Sequence, residues 1–119
     1  MTPNTEKKPA LQYPPTPVDI SMIEESGKLL LRNVEGKSMY RYDADKDGKS
    51  HCLGECSKAW PPVIASDGSQ PIGDWTIVKR PDGARQWSYR NQPVYTYSLD
   101  SPGTTTGDGK GGVWHLVKL

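Results

Sequence analysis

The chain has 119 residues, with 15 Lys and Arg against 14 Asp and Glu, no Phe, 12 Gly, 11 Pro and two Cys. That length makes one domain, and a net charge of +1 gives no general grip on nucleic acid or an anionic membrane. No apolar run approaches the ~18 residues that would span a bilayer, and the wealth of Gly and Pro favours short elements joined by tight turns.

Residues 1–20, rich in Pro, Thr and Lys, read as a flexible tether with little to bury. A tether at this position implies either a signal or lipid-anchor segment ahead of it or an ordinary frayed terminus. Residues 28–32 and 37–42 are β-prone runs around the turn signal Asn33-Val34-Glu35-Gly36 and are expected to form a hairpin. Residues 43–50 are a loop, and 54–60 a short helix stopped by Pro61-Pro62. Strands are expected over 75–79 and 85–90 about the turn Pro81-Asp82-Gly83, then over 94–98 after Asn91-Gln92. A Gly/Thr-rich loop at 101–112 leads into a last strand at 113–118.

One pattern occurs twice. Tyr40-Arg41-Tyr42 with Asp45, and Tyr95-Thr96-Tyr97 with Asp100, both read Y-x-Y-x-x-D, 55 positions apart, and a Trp follows each loop, Trp60 and then Trp114. Such register over that distance predicts a duplicated supersecondary unit, about 28–65 and 75–118. The fold expected is therefore all-β: one domain over 21–119, a small meander or sandwich of two similar units, with one short helix in the Cys loop. On a strand, the tyrosines of each pair share a face. They are read as packing residues with hydroxyls at the core's edge, against an exposed aromatic platform for a sugar or flat cofactor. Asp45 and Asp100 are expected to fix their loops by accepting backbone N–H bonds.

The chemistry-bearing candidates follow from spacing. Asp43, Asp45 and Asp47 match the start of an EF-hand loop, but its twelfth position is Gly54, with Glu55 one step late. Calcium is thus an alternative to a solvated acidic turn. Gly107 to Gly112 satisfies G-x-G-x-x-G on paper, without the following helix or acid that dinucleotide binding needs. Cys52 and Cys56, with His51 directly before them, admit three readings. A structural disulfide requires a distorted turn, which Gly54 eases, because Cβ atoms at i and i+4 of a regular helix stand too far apart. A soft copper or zinc site would use both thiolates with His51 and His115. A redox pair would be off the usual C-x-x-C spacing. No Ser-His-Asp or paired-carboxylate arrangement nominates an enzyme.

The segments 36–45, 50–62 (S-H-C-L-G-E-C-S-K-A-W-P-P), 78–83 (V-K-R-P-D-G) and 111–115 together resemble the bacterial secreted-repeat lipoprotein family, with its Y-x-[FWY]-x-x-D motif and C-x-G-x-C-x-x-x-W-P-P segment. The resemblance spans about 21–119. It places the motif residues on Tyr40, Tyr42, Asp45, Cys52, Gly54, Cys56, Trp60, Pro61, Pro62, Tyr95, Tyr97, Asp100, Trp114 and His115. It implies an extracytoplasmic, often lipid-anchored protein of unestablished activity; the chain is read as a periplasmic or cell-surface monomer with a binding or structural role toward an envelope partner or small ligand. Outside the cytosol thiols tend to be oxidised, which favours the disulfide. The expectation is thus no cofactor, with copper or redox handling through Cys52, Cys56 and His51 as the rival.

Overall fold

The computed structural model describes residues 14–45 and 47–119; the first thirteen positions of the expected tether lie outside them. Within that tether, residues 14–19 pack on the domain: Pro17 is buried, and Asp19 Oδ2 accepts the Trp87 indole N–H at 2.9 Å and the Ser66 N–H at 2.8 Å. The first strand, β1 (Ile20–Glu25), pairs antiparallel with β2 (Lys28–Asn33) through Ser26 and Gly27. Both turn residues have positive φ, 52° and 80°, as a type I′ turn needs.

This corrects the expected hairpin. β2 folds back on β1, and toward β3 (Tyr40–Tyr42) it makes only the bridge Arg32 to Ser38. The apolar positions of 20–25 carry too little alternation to announce a strand until the Ser-Gly turn is recognised.

After β3 come a 3-10 turn at Asp43–Asp45 and the helix α1 (Glu55–Ala59). The second half supplies β4 (Trp75–Lys79), β5 (Arg85–Tyr89), β6 (Gln92–Tyr95) and β7 (Trp114–Leu116). The larger sheet has the order β4-β5-β6-β3-β7.

The duplication is plain in the ladders. Ile20 faces Asn33 as Trp75 faces Tyr89, and Arg32 bridges Ser38 as Ser88 pairs with Pro93. Pro62 bridges Tyr95 as Leu116 pairs with Tyr40. The two halves then meet at their tyrosine strands: β3 and β6 are antiparallel neighbours with Tyr40 directly opposite Tyr95. Equivalent residues facing each other place a pseudo-twofold axis between them. Two cores result. One gathers Ile20, Leu31, Met39, Val63, Trp75 and Trp87; the other gathers Tyr40, Cys52, Trp60, Tyr95, Tyr97 and Trp114 around the axis.

Candidate functional site

The second core holds the four motif tyrosines, both motif tryptophans and the two cysteines, and its polar bonds cross from one repeat to the other. Tyr40 Oη donates to Asp100 Oδ2 at 2.6 Å, and Tyr95 Oη donates to Asp45 Oδ2 at 2.6 Å. Each aspartate uses its other oxygen for its own loop: Asp45 Oδ1 accepts the His51 N–H and Asp100 Oδ1 the Thr106 N–H, both at 2.8 Å and both six residues on. The aspartates perform the expected loop-fixing role, and the repeats exchange tyrosines besides.

The two carboxylates differ in charge environment. Burial pushes Asp45 above the usual carboxylate range, and the bonds from Tyr95 and His51 only partly offset it. Burial also acts on Asp100, but donation from Thr106, Tyr40 and Thr104 outweighs it and holds the carboxyl below that range. Burial and the Asp45 bond push the Tyr95 hydroxyl up to about 12; burial and Asp100 raise Tyr40 as well. Both phenols are therefore neutral donors at physiological pH.

A buried cation joins this network. Arg80, 2% exposed, donates from Nη1 to Ser50 Oγ at 2.9 Å and to Gln86 Oε1 at 3.0 Å, and from Nη2 to the Cys52 carbonyl at 3.0 Å. Ser50 lies 2.6 Å from the Tyr95 hydroxyl. Since Tyr95 gives its proton to Asp45, Ser50 is the donor to Tyr95. A directed chain thus runs from Arg80 through Ser50 and Tyr95 to Asp45. Arg80 lies in the segment 78–83 that helps to carry the resemblance, but an arginine beside a Pro-Asp-Gly turn reads as solvated, and its partner Asp82 is half-exposed.

Above the tyrosines the rings form a four-membered column. Tyr42 stacks on Trp114 at 4.2 Å, Trp114 on Trp60 at 3.9 Å and Trp60 on Tyr97 at 4.3 Å. Again the partners are exchanged, since each second tyrosine covers the other repeat's indole. Tyr40 meets Trp60 edge-on, and Tyr95 meets Trp114 likewise, the geometry that aromatic quadrupoles favour. All four tryptophans are at most 7% exposed, so an open indole platform for a glycan is absent among the described residues.

The sulfurs belong to this core, Cys52 fully buried in it and Cys56 packed against it. Cys52 and Cys56 form a disulfide with Cα atoms 5.2 Å apart. Cys52 precedes α1, Gly54 breaks the backbone at φ 57°, and Cys56 sits in the first helical turn, which supplies the distorted turn such close spacing requires. Counting 55 positions on, Cys52 and Cys56 correspond to Gly107 and Gly111. Gly107 donates its N–H to the Tyr40 hydroxyl, and a Cβ there would stand 2.8 Å from Trp60. One repeat therefore closes its loop with a covalent bond, the other with close backbone approach.

The ligand sets considered from spacing are not assembled. With both thiols in the bridge, His51 Nε2 lies 3.1 Å from Asp47, while His115 Nε2 lies 3.0 Å from Asp43. The three loop aspartates face different partners: Asp45 is buried on Tyr95, Asp43 takes Arg41 and His115, and Asp47 takes the Lys49 N–H and His51. His115 lowers the Asp43 carboxyl, and the Lys49 N–H that of Asp47. Among the described residues no three His, Cys, Asp or Glu side chains are grouped as a metal would need. No helix among them is long and apolar enough to cross a membrane.

Two stretches of the chain, residues 22–64 and 76–118, each match the family described as a secreted repeat of unknown function. No curated protein and no solved structure matches the chain.

Proposed function

The chain belongs to that secreted-repeat family, and from this premise we propose an extracytoplasmic, lipid-anchored protein of the bacterial envelope whose role is binding or structural. One observation carries the reading. The groups that catalysis would borrow are already engaged: Tyr40 with Asp100 and Tyr95 with Asp45 between the repeats, Arg80 of the second repeat with Ser50 of the first, and the two sulfurs with each other within the first. A rigid two-repeat body results, suited to hold a surface in place. An oxidised bridge fits a site outside the cytosol.

Fractionation of the native cells tests it. A lipid-anchored envelope protein follows the detergent phase on Triton X-114 partitioning and takes up labelled palmitate. Release by osmotic shock into the aqueous phase, unlabelled, contradicts the anchor. Copper handling through Cys52, Cys56 and His51 remains a second reading, favoured by the partial exposure of Cys56. It requires tight Cu(I) uptake after reduction that Cys52→Ser abolishes.

A further inference from the structure

The pseudo-symmetry exposes a difference between the repeats away from the hub. In the second half, β5 and β6 splay apart beyond their turn, and an extended segment, residues 62–65, fills the fork. Val63 donates its N–H to Val94 O, its carbonyl accepts the Trp87 N–H, and Ala65 donates to Arg85 O. Val63 and Ala65 are buried there and Ile64 faces outward, the alternation of a strand.

In the first half, β2 and β3 splay in the same way and residues 116–119 enter the fork. The first rung is equivalent, Val117 N–H to Met39 O. By register, Leu31 corresponds to Trp87 and Leu29 to Arg85. Yet no bond joins the Leu31 N–H to Val117 O, or the Leu119 N–H to Leu29 O. Between the two strips lies an open cleft of 510 Å³, lined by Lys28, Leu29, Leu30 and residues 116–119, within the roughly 300–1,000 Å³ of typical binding clefts.

The open edge belongs to β2. Across a two-residue turn the closing pair Glu25 and Lys28 is hydrogen-bonded, so Lys28, Leu30 and Arg32 engage β1 while Leu29, Leu31 and Asn33 face outward. Asn33 meets Lys37 O; Leu29 lines the cleft, while Leu31 shares that backbone edge with its side chain buried in the core. An apolar edge with unpaired N–H and C=O groups is a template for strand addition.

We propose that this cleft binds an extended peptide segment of a partner protein, antiparallel to β2, with apolar residues at alternate positions and an acidic residue toward the Lys28 end. The fork of the other repeat shows the kind of chain this backbone geometry accepts. The acid follows from charge: Lys28 and Lys118 are exposed at the rim, and neither lies within ion-pair distance of a carboxylate among the described residues. The segment that fills the equivalent fork has the same layout, since Asp67 follows Ala65 by two positions. This deepens the binding role proposed above and is independent of the membrane anchor.

The probe is a fluorescein-labelled peptide with the sequence of residues 61–67, Pro-Pro-Val-Ile-Ala-Ser-Asp. Saturable binding is expected by anisotropy, together with slowed hydrogen exchange of the Leu31 amide. N-methylation of the peptide's alanine nitrogen removes one donor and adds apolar surface, and it is expected to weaken binding about tenfold. Lys28→Glu with Lys118→Glu, both at exposed sites, should also weaken it while leaving the melting temperature unchanged. Absence of saturation up to millimolar peptide, or equal binding of the N-methylated form, overturns the proposal. So does a Leu31 amide already protected in the free protein, which would mean the fork closes on residues 117–119. A dimer at micromolar concentration overturns it in favour of a second copy as the occupant. None of these results bears on the fractionation experiment.

Discussion

Tyr40 and Tyr95 each give their hydroxyl proton to a carboxylate of the other repeat, so a phenylalanine at either position leaves a buried oxygen without its donor. A loss of about 1–3 kcal/mol is expected for each by urea titration. Each change also strands a second donor, the Gly107 N–H at Tyr40 and the Ser50 hydroxyl at Tyr95, where the chain from Arg80 would end blind. The two aspartates predict opposite pH effects. Asp100 has a lowered folded pKa; its contribution is full above the unfolded carboxyl value of about 3.9 and is lost as pH falls through the folded value. Asp45 has a raised folded pKa. Its ionisation penalises the folded state above that value, and the penalty lifts as pH falls toward the unfolded one. From pH 7 to 3, the melting temperature of Asp100→Asn should therefore fall less than that of the parent, and that of Asp45→Asn should fall more. Equal slopes would contradict the assignment. The anchoring role of these aspartates was legible because Y-x-Y-x-x-D recurs. Their crossed partners were not, since a strand's own pattern does not state which strand it will lie beside. The burial of Arg80 was not legible either: it is decided by Ser50, Gln86 and the Cys52 carbonyl, which converge only in space.

At the scale of elements, the two loops rest on different devices with one task. The bridge closes a short loop, worth about 2 kcal/mol on a chain-entropy account, so Cys52→Ala with Cys56→Ala should lower the melting temperature by roughly 10 °C. A far smaller change would mean that α1 holds its place without the bridge. In the other loop, Gly107→Ala drives a methyl group toward Trp60 and Tyr40. Overpacking of that kind costs typically 1–3 kcal/mol, and alanine at Gly109, where nothing crowds a Cβ but φ is 85°, separates steric from backbone strain. β4 and α1 were legible almost residue for residue, because Pro and Gly punctuate both. β1 was not: Glu24-Glu25-Ser26-Gly27 reads as solvated, and only positive φ at two successive residues reveals the turn. Without that turn, β2 has no visible partner but the run at 37–42, whereas it pairs with β1.

For the whole molecule, the duplication was visible in spacing, but its consequence was not. Two repeats could have sat side by side, each with its own tyrosines packed on its own tryptophan. Here they interlock: β3 pairs with β6, Tyr42 covers Trp114 and Tyr97 covers Trp60, so neither half has a complete aromatic core by itself. Residues 14–67 or 68–119 expressed separately should accordingly lack dispersed aromatic NMR signals, and mixing the two should restore them. The exchange of partners across the pseudo-twofold axis is tested most directly by aromatic nuclear Overhauser contacts in the intact chain. The interlocked arrangement predicts strong cross-peaks between the indoles of Trp60 and Trp114, with Tyr42 to Trp114 and Tyr97 to Trp60 beside them. A spectrum in which the Trp60 ring contacts Tyr42 and not Tyr97, with no signal between the two indoles, would contradict it.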